Sequence, residues 1–219
     1  MRNDKKAKST GSKFREYFML HLKCVRTEIL ASMFMGLFAG WIWGGLSRDR
    51  CLILAIIIGG WSIRAFSRTC SKMLYQQEAY LYQSFPVSAA ETVFTKVITG
   101  AFVPMAGLIP LAIQMYGLAG VAALSVIMAG SILLGTIVLA AISFGNSLRD
   151  SRAKKPSTAV AVLTAIMMLA VQGGLTAVFA IYSPLIYGLR ILVLTVVFTG
   201  EAAGLLWYNT RSLGNGYQV

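Results

Sequence analysis

Six long apolar runs, separated by short polar segments, make up most of the chain. Each run is close to or longer than the roughly 20 apolar residues that a helix needs to cross a bilayer. Breaks at charge clusters and turn residues place the predicted spans at 29–47, 51–68, 94–116, 119–145, 157–182 and 185–208. The pattern predicts an all-α membrane protein in which residues 29–219 form a single six-helix transmembrane domain.

Residues 1–28 show a helical period of their own before the first predicted span. Apolar side chains recur every three or four residues from Phe14 to Ile29, and charged side chains occupy the other faces. This pattern is typical of an amphipathic helix that lies in the membrane interface. We therefore expect an interfacial helix behind a short cytoplasmic tail. His21 is the sole histidine, and we expect it to be a bystander on this helix.

The net charge of +12 would indicate nucleic acid binding if it lay on a soluble surface. Instead, most Lys and Arg residues lie before the first span, around the segment 69–93 and in the loop 146–156. In the predicted topology all three positions lie on the same side of the membrane, and an excess of Lys and Arg marks the cytoplasmic side. We therefore expect both termini and the segment 69–93 in the cytoplasm, with anionic lipid headgroups rather than nucleic acid as partners of the basic residues.

Few ionisable residues lie within the predicted spans, and these few are candidate functional positions. Glu201 lies about two turns inside the last span, where an unpaired carboxylate is costly. We expect Glu201 to form an ion pair with Arg64 or Arg68, or to line a cavity. The two arginines, four residues apart at the inner end of the second span, are expected to snorkel to the inner headgroups. The alternative is that they line an inward-facing cavity. Pro104 and Pro110 are expected to bend the third span.

Gly36, Gly40 and Gly44 form a stripe at four-residue spacing in the first predicted span. Small residues at this spacing let another helix approach closely in a membrane. The alternative is a glycine-rich helix that has no special partner.

Sequence motifs for catalysis are missing from the chain. It contains no GxxxxGK[ST] phosphate loop, no HExxH, no CxxC and no GxSxG, which are the signatures of nucleotide, metal and nucleophile chemistry. The three cysteines are far apart and odd in number, so neither a disulfide framework nor a zinc site is expected. We therefore expect that the chain alone is not an enzyme and that it binds no cofactor or metal.

The segment between the second and third spans combines a corner with a new helix start. The pattern from Ser71 to Ser84 predicts a helix that continues past the membrane, and Pro86 disfavours helical geometry at Phe85. Ser88 and Glu91 have the S-x-x-E spacing of a capping box, in which hydroxyl and carboxylate satisfy backbone donors at a helix start. We expect a helix–corner–helix whose exposed aromatic side chains form a docking surface.

This segment resembles the one between the second and third spans of the membrane subunits of type-two ABC transporters, the small six-helix exporter permeases of many Gram-positive bacteria. Their segment reads E-x-Y-L-x-x-x-L-P-V-S-x-x-E-x-x-x-x-K. The matching residues in this chain are Glu78, Tyr80, Leu81, Pro86, Val87, Ser88, Glu91 and Lys96. The place of the motif between the two spans and the basic amphipathic helix before the first span agree with the same family.

The resemblance implies that 69–93 is a coupling region that inserts into a separate ATPase subunit. The implied contact residues are Glu78, Tyr80, Leu81, Tyr82, Phe85, Pro86, Val87, Ser88 and Glu91. It also implies a homo- or heterodimer of permeases with two ATPase subunits, which would hold ATP and Mg. The implied cargo is an amphipathic or hydrophobic peptide of the toxin or antimicrobial type, such as a bacteriocin or phenol-soluble modulin, exported through the bacterial plasma membrane.

One departure from the family lies between the last two spans. Residues 182–188 leave room for only a short lid, whereas such permeases often carry re-entrant helices there. Other functions also remain open: a drug or lipid exporter, a membrane scaffold or assembly factor that does not transport, or a proton-coupled carrier that depends on Glu201. An ATPase gene directly beside this one would favour the exporter.

Overall fold

The computed structural model describes residues 2–42, 47–75, 87–116, 123–147, 158–182 and 187–216. These residues contain six helices and no strand. The helices are α1 (Arg2–Ile42), α2 (Arg48–Tyr75), α3 (Ala89–Tyr116), α4 (Leu124–Ser147), α5 (Thr158–Tyr182) and α6 (Tyr187–Gly216). The predicted all-α architecture is therefore confirmed for the described part of the chain.

Within the described residues, four of the helices are long and apolar enough to cross a membrane. The qualifying stretches, in α2, α3, α4 and α6, are Asp49–Cys70, Ala89–Met115, Leu124–Phe144 and Gly188–Ser212. A shorter apolar stretch, Val162–Gly174, lies in α5. The predicted spans at 29–47 and 157–182 reach into residues outside the described ranges, and as spans they stay predictions.

The predicted interfacial helix and the described part of the predicted first span belong to one helix. α1 runs without interruption from Arg2 to Ile42. Residues 12–35 contain neither Gly nor Pro, so nothing in that stretch interrupts the helical hydrogen bonds. The buried residues Tyr17, Val25 and Ser32 follow each other at helical spacing, so one stripe of α1 faces protein along much of the helix.

The interior of the fold is formed by α3 and α4. α3 packs against α1, α2, α4 and α6, and α4 packs against α2, α3, α5 and α6. A core cluster joins α2, α3 and α4 around Phe66, Val97 and Leu139, and another joins α4 to α6 around Leu133 and Phe198. α5 has its main contact with α4 alone, so it lies at the periphery of the helix assembly.

A close crossing of α1 and α3 depends on two glycines. A Cβ atom added at Gly107 would lie 2.5 Å from the Ser32 Oγ atom and 2.9 Å from the Ser32 carbonyl oxygen, and one added at Gly36 would collide with the Gly107 carbonyl. Nearby, Gln114 Nε2 donates hydrogen bonds to the carbonyls of Gly36 at 3.0 Å and Leu37 at 2.9 Å. Gly36 thus packs closely against a neighbouring helix, which is the first of the two alternatives that the glycine spacing left open. Gly44 lies outside the described residues.

The end of α6 extends beyond its predicted limit. The last predicted span ends at residue 208, yet α6 continues to Gly216. Asn209 is completely buried, and its Nδ2 atom donates to the Thr136 carbonyl of α4 at 3.1 Å. A polar side chain that meets a carbonyl on its neighbour can be buried at lower cost, so the polarity of Asn209 does not end the packed part of the helix.

Candidate functional site

The start of α3 carries the capping box that the sequence predicted. The Ser88 backbone N–H donates to Glu91 Oε2 at 2.7 Å, and the Glu91 N–H donates to Ser88 Oγ at 3.2 Å. The Ser88 hydroxyl also donates to Glu91 Oε2 at 2.9 Å. The first backbone bond of the helix joins the Thr92 N–H to the Ser88 carbonyl at 3.0 Å. The reciprocal pairing defines the start of α3 next to Val87, which is half-buried.

Most of the predicted coupling residues precede this cap and lie outside the described ranges. They are Glu78, Tyr80, Leu81, Tyr82, Phe85 and Pro86. On the near side, α2 continues past its predicted span, which ended at residue 68, to Tyr75. The structure therefore describes only the two ends of the predicted helix–corner–helix: the extension of α2 and the cap of α3.

Two turns into α3, Lys96 lies in a buried polar cluster with α1 residues. Lys96 is 2% exposed, and its Nζ atom has no hydrogen-bond partner among the described residues. His21 of α1 is 1% exposed, and its ring centroid lies 4.4 Å from that of Tyr17. Burial lowers the pKa of His21 to about 3, and the nearby Lys96 charge acts in the same direction. His21 is therefore neutral near pH 7.

The expectation that His21 is a bystander stays a prediction, but the structure does show burial of its side chain beside Lys96. The signal that could have identified it was present in the sequence. His21 occupies a position in the same three- and four-residue period as the apolar side chains around it, and that period marks the face of a helix that becomes covered.

Glu201 lines an open cavity of about 690 Å³ between α4, α5 and α6. The Glu201 side chain is half-buried, and its Oε2 atom is buried with no hydrogen-bond partner in the described part of the chain. The cavity wall on α5 includes Met167, Met168 and Val171, and its floor on α4 includes Ile137. The lining is predominantly apolar, so the carboxylate is the most polar feature of this cavity.

The predicted ion pair between Glu201 and an arginine of α2 is not formed. Arg64 and Arg68 are exposed on α2, and neither makes an ion pair with Glu201 among the residues that the structure describes. The reason is the arrangement of the helices: α6 packs mainly against α3 and α4, not against α2. Of the two expectations for Glu201, cavity lining describes its position.

The two prolines of the third predicted span both lie inside α3, which continues through them. Pro104 is almost completely buried and Pro110 is half-buried. A proline removes one backbone donor but does not by itself end a membrane helix, since neighbouring groups can satisfy the freed carbonyl. The bend that the sequence predicts at these positions stays a prediction.

Within the described ranges, no group of three or more His, Cys, Asp or Glu side chains lies together as a potential metal site. Cys51 and Cys70 are buried and Cys24 is exposed, and none of the three is in a disulfide. A second cavity of about 450 Å³ lies beside the start of α2 and is lined by Asp49 and apolar side chains of α2 and α3.

These features define the class of the protein as an all-helical protein, across the described residues, with several helices apolar enough to span a membrane. Comparison of the chain with family models, with curated proteins and with solved structures finds no match. Its function is therefore argued from its own residues and their geometry.

Proposed function

We propose that this chain is the permease subunit of an ATP-driven ABC exporter in the bacterial plasma membrane, with both termini in the cytoplasm. The observation that carries the proposal is the Ser88–Glu91 capping box at the start of α3. It opens a helix that is long and apolar enough to cross the membrane. In the family that the motif resembles, the corresponding segment receives the movement of the ATPase.

The position of α3 supports a coupling role for this segment. Because α3 packs against α1, α2, α4 and α6, a displacement at its capped start would be passed to most of the helix assembly. The cap satisfies backbone N–H donors at the start of α3, and without it the first turn would fray. With the cap, the first turn can transmit a push as a rigid element. Packed helices respond to such a push by rigid-body shifts.

The complete transporter in this proposal contains two permeases, identical or different, and two ATPase subunits that hold ATP and Mg. Closure of the ATPase pair would move the coupling segments and rock the membrane helices. The cargo is an amphipathic or hydrophobic peptide, by analogy with the resembled family. The apolar faces that α5 and α6 leave exposed, for example at Val162, Ile166, Leu192 and Val196, are available to lipid or to the second permease.

The test is to co-express this chain with the ATPase encoded beside its gene and to measure ATP hydrolysis by the purified complex with and without amphipathic peptides. We expect co-purification and hydrolysis that the peptides stimulate. Glu91→Lys, which destroys the capping box, is expected to lower stimulated hydrolysis and export while membrane insertion is retained. Glu91→Gln is the matched control, since Gln also completes a capping box, and it is expected to retain activity.

A chain that folds well but co-purifies with no ATPase would contradict the exporter and favour the membrane scaffold. Normal export by a well-folded Glu91→Lys variant would contradict the coupling role of the α3 start. A second candidate, the proton-coupled carrier, is favoured by the buried Glu201 oxygen that has no described partner. It predicts transport that persists without an ATPase and is abolished by Glu201→Gln.

A further inference from the structure

The cavity beside Glu201 has the form of a groove with a single charged group. α5 and α6 both flank α4, and α5 has its main contact with α4 alone, so the space between α5 and α6 stays open. Its volume of about 690 Å³ is in the range of roughly 300–1,000 Å³ typical of small-molecule sites. On α5 the lining extends from Thr164 to Gln172, which corresponds to roughly 12 Å along a helix.

The charge in this groove is uncompensated among the described residues. Glu201 Oε2 is buried without a hydrogen-bond partner, and Glu201 makes no ion pair in the described ranges. The nearest described basic residues on the same helix are far away: Arg190 is roughly 16 Å and Arg211 roughly 15 Å along the axis at 1.5 Å per residue. Arg211 also lies over the Trp207 ring, at 5.5 Å from its centroid.

A carboxylate in apolar surroundings is costly unless a cation accompanies it. The groove offers such a cation an apolar environment for the rest of its molecule, because Met167, Met168 and Val171 on one wall face Leu205 on the other. Methionine side chains are flexible and polarizable, so they adapt to ligands of different shapes. The complementary ligand thus has one positive charge and a compact apolar body.

We propose that the groove between α5 and α6 binds a drug-sized cationic amphiphile, with its positive charge beside Glu201 and its apolar body against the methionines of α5. Binding of this kind requires no ATPase, so the proposal stands apart from the exporter proposal. Within an exporter, the groove would hold the positively charged part of a cargo.

The test uses tetraphenylphosphonium as the probe and the full-length chain in dodecyl maltoside, without any ATPase. Equilibrium dialysis with radiolabelled probe measures its dissociation constant for the wild type, Glu201→Gln and Glu201→Asp. We expect Glu201→Gln to weaken binding by about tenfold or more, which corresponds to about 1.4 kcal/mol at 25 °C. Glu201→Asp keeps the charge and is expected to retain part of the affinity.

Two controls separate charge recognition from micelle partitioning and from misfolding. Glu28→Gln removes another half-buried carboxylate, which lies on α1. Because α1 packs against α2 and α3 and does not line the groove, this variant is expected to bind the probe as the wild type does. Tetraphenylborate has the same shape and the opposite charge, and it is expected to gain no affinity from Glu201. Gel filtration and thermal unfolding establish that each variant is folded.

Equal affinity of the wild type and a folded Glu201→Gln variant would overturn the proposal. So would a wild type that binds no probe, as expected if a second copy of the chain or a lipid tail fills the groove. Because the assay contains no ATPase, failure here leaves the exporter proposal in place. Conversely, failure to co-purify with an ATPase leaves this binding site in place.

Discussion

At the scale of single residues, the contact between α1 and α3 shows how much depends on one missing side chain. Gly36 and Gly107 bring two helix backbones together at a point where the Ser32 carbonyl and hydroxyl already fill the available space. In a membrane, where lipid is as apolar as the side chains, close packing and interhelical hydrogen bonds supply much of the association energy. The hydrogen bonds from Gln114 to α1, at 2.9 and 3.0 Å, are interhelical hydrogen bonds of this kind.

Gly107→Ala is expected to destabilise the protein by ~1–3 kcal/mol, because an added methyl group forces α1 and α3 apart. The matched control is Gly60→Ala on α2, where an added Cβ meets nothing within 4 Å. That control is expected to be neutral or to stabilise by up to ~1 kcal/mol through helix propensity. The midpoint of unfolding in an SDS titration measures both variants, and equal midpoints for the two would contradict the packing argument.

At the scale of elements, α1 is the helix whose packing was least determined by its amphipathic sequence pattern. An amphipathic period is compatible with a helix that lies on a membrane and equally with one that packs against protein. Residues 17–32 pack against protein, since Tyr17, His21 and Val25 are buried and α1 contacts α2 and α3. The buried neutral His21 makes this packing sensitive to pH.

Acid is expected to loosen α1 from α3 through His21. Its pKa is lowered to about 3 in the folded protein, against about 6.5 when unfolded, so the unfolded state binds the proton more readily. The stability contributed by neutral His21 is fully present above about pH 6.5 and is lost progressively as the pH falls toward 3, at up to ~1.4 kcal/mol per pH unit. His21→Gln does not titrate and is expected to show a smaller loss.

The measurement is the thermal midpoint of the wild type and His21→Gln at pH values from about 7 to about 4.5, where each kcal/mol corresponds to about 2–4 °C for a chain of this size. Carboxylates titrate in both proteins, so the difference between the two curves isolates His21. Parallel curves for the two proteins would contradict a buried neutral histidine. Amide exchange in residues 13–28 reports whether α1 is the helix that loosens.

At the scale of the whole molecule, the helices form an interior pair with peripheral neighbours. α3 and α4 each pack against four other helices, and α5 against mainly one. The most buried candidate span is Leu124–Phe144, while few residues of Gly188–Ser212 are fully buried. The faces of α5 and α6 are thus the parts of the assembly that need lipid, cargo or another subunit as neighbours.

The proposed six-span topology predicts that both ends of the chain are accessible from the cytoplasm. In a Cys24→Ser background, Lys13→Cys and Arg211→Cys are expected to react with a membrane-impermeant maleimide only in inside-out vesicles. Arg50→Cys, at an exposed position between the first two predicted spans, is expected to react only in intact cells. Labelling of Lys13→Cys and Arg211→Cys from opposite sides would require an odd number of spans and would contradict the topology.

Several elements could be predicted from the sequence because they depend on local chemistry. Apolar runs of sufficient length located the helices that became α2, α3, α4 and α6. The Ser88–Glu91 cap was readable for the same reason, since its two partners are three residues apart and the bonds form within one turn. The spacing of Gly36 indicated a small residue in a helix contact, but the sequence did not indicate that its neighbour would be Gly107.

The sequence by itself therefore determined where most helices lie, where α3 starts and that the chain suits a membrane. Only the tertiary structure decided that α1 packs on α3, that Asn209 is bound to the Thr136 carbonyl, and that Glu201 faces the groove beside α5 instead of Arg64 or Arg68. The physical reason is that periodicity and capping act within one helix. The neighbour that covers a given face depends on how all the helices pack together.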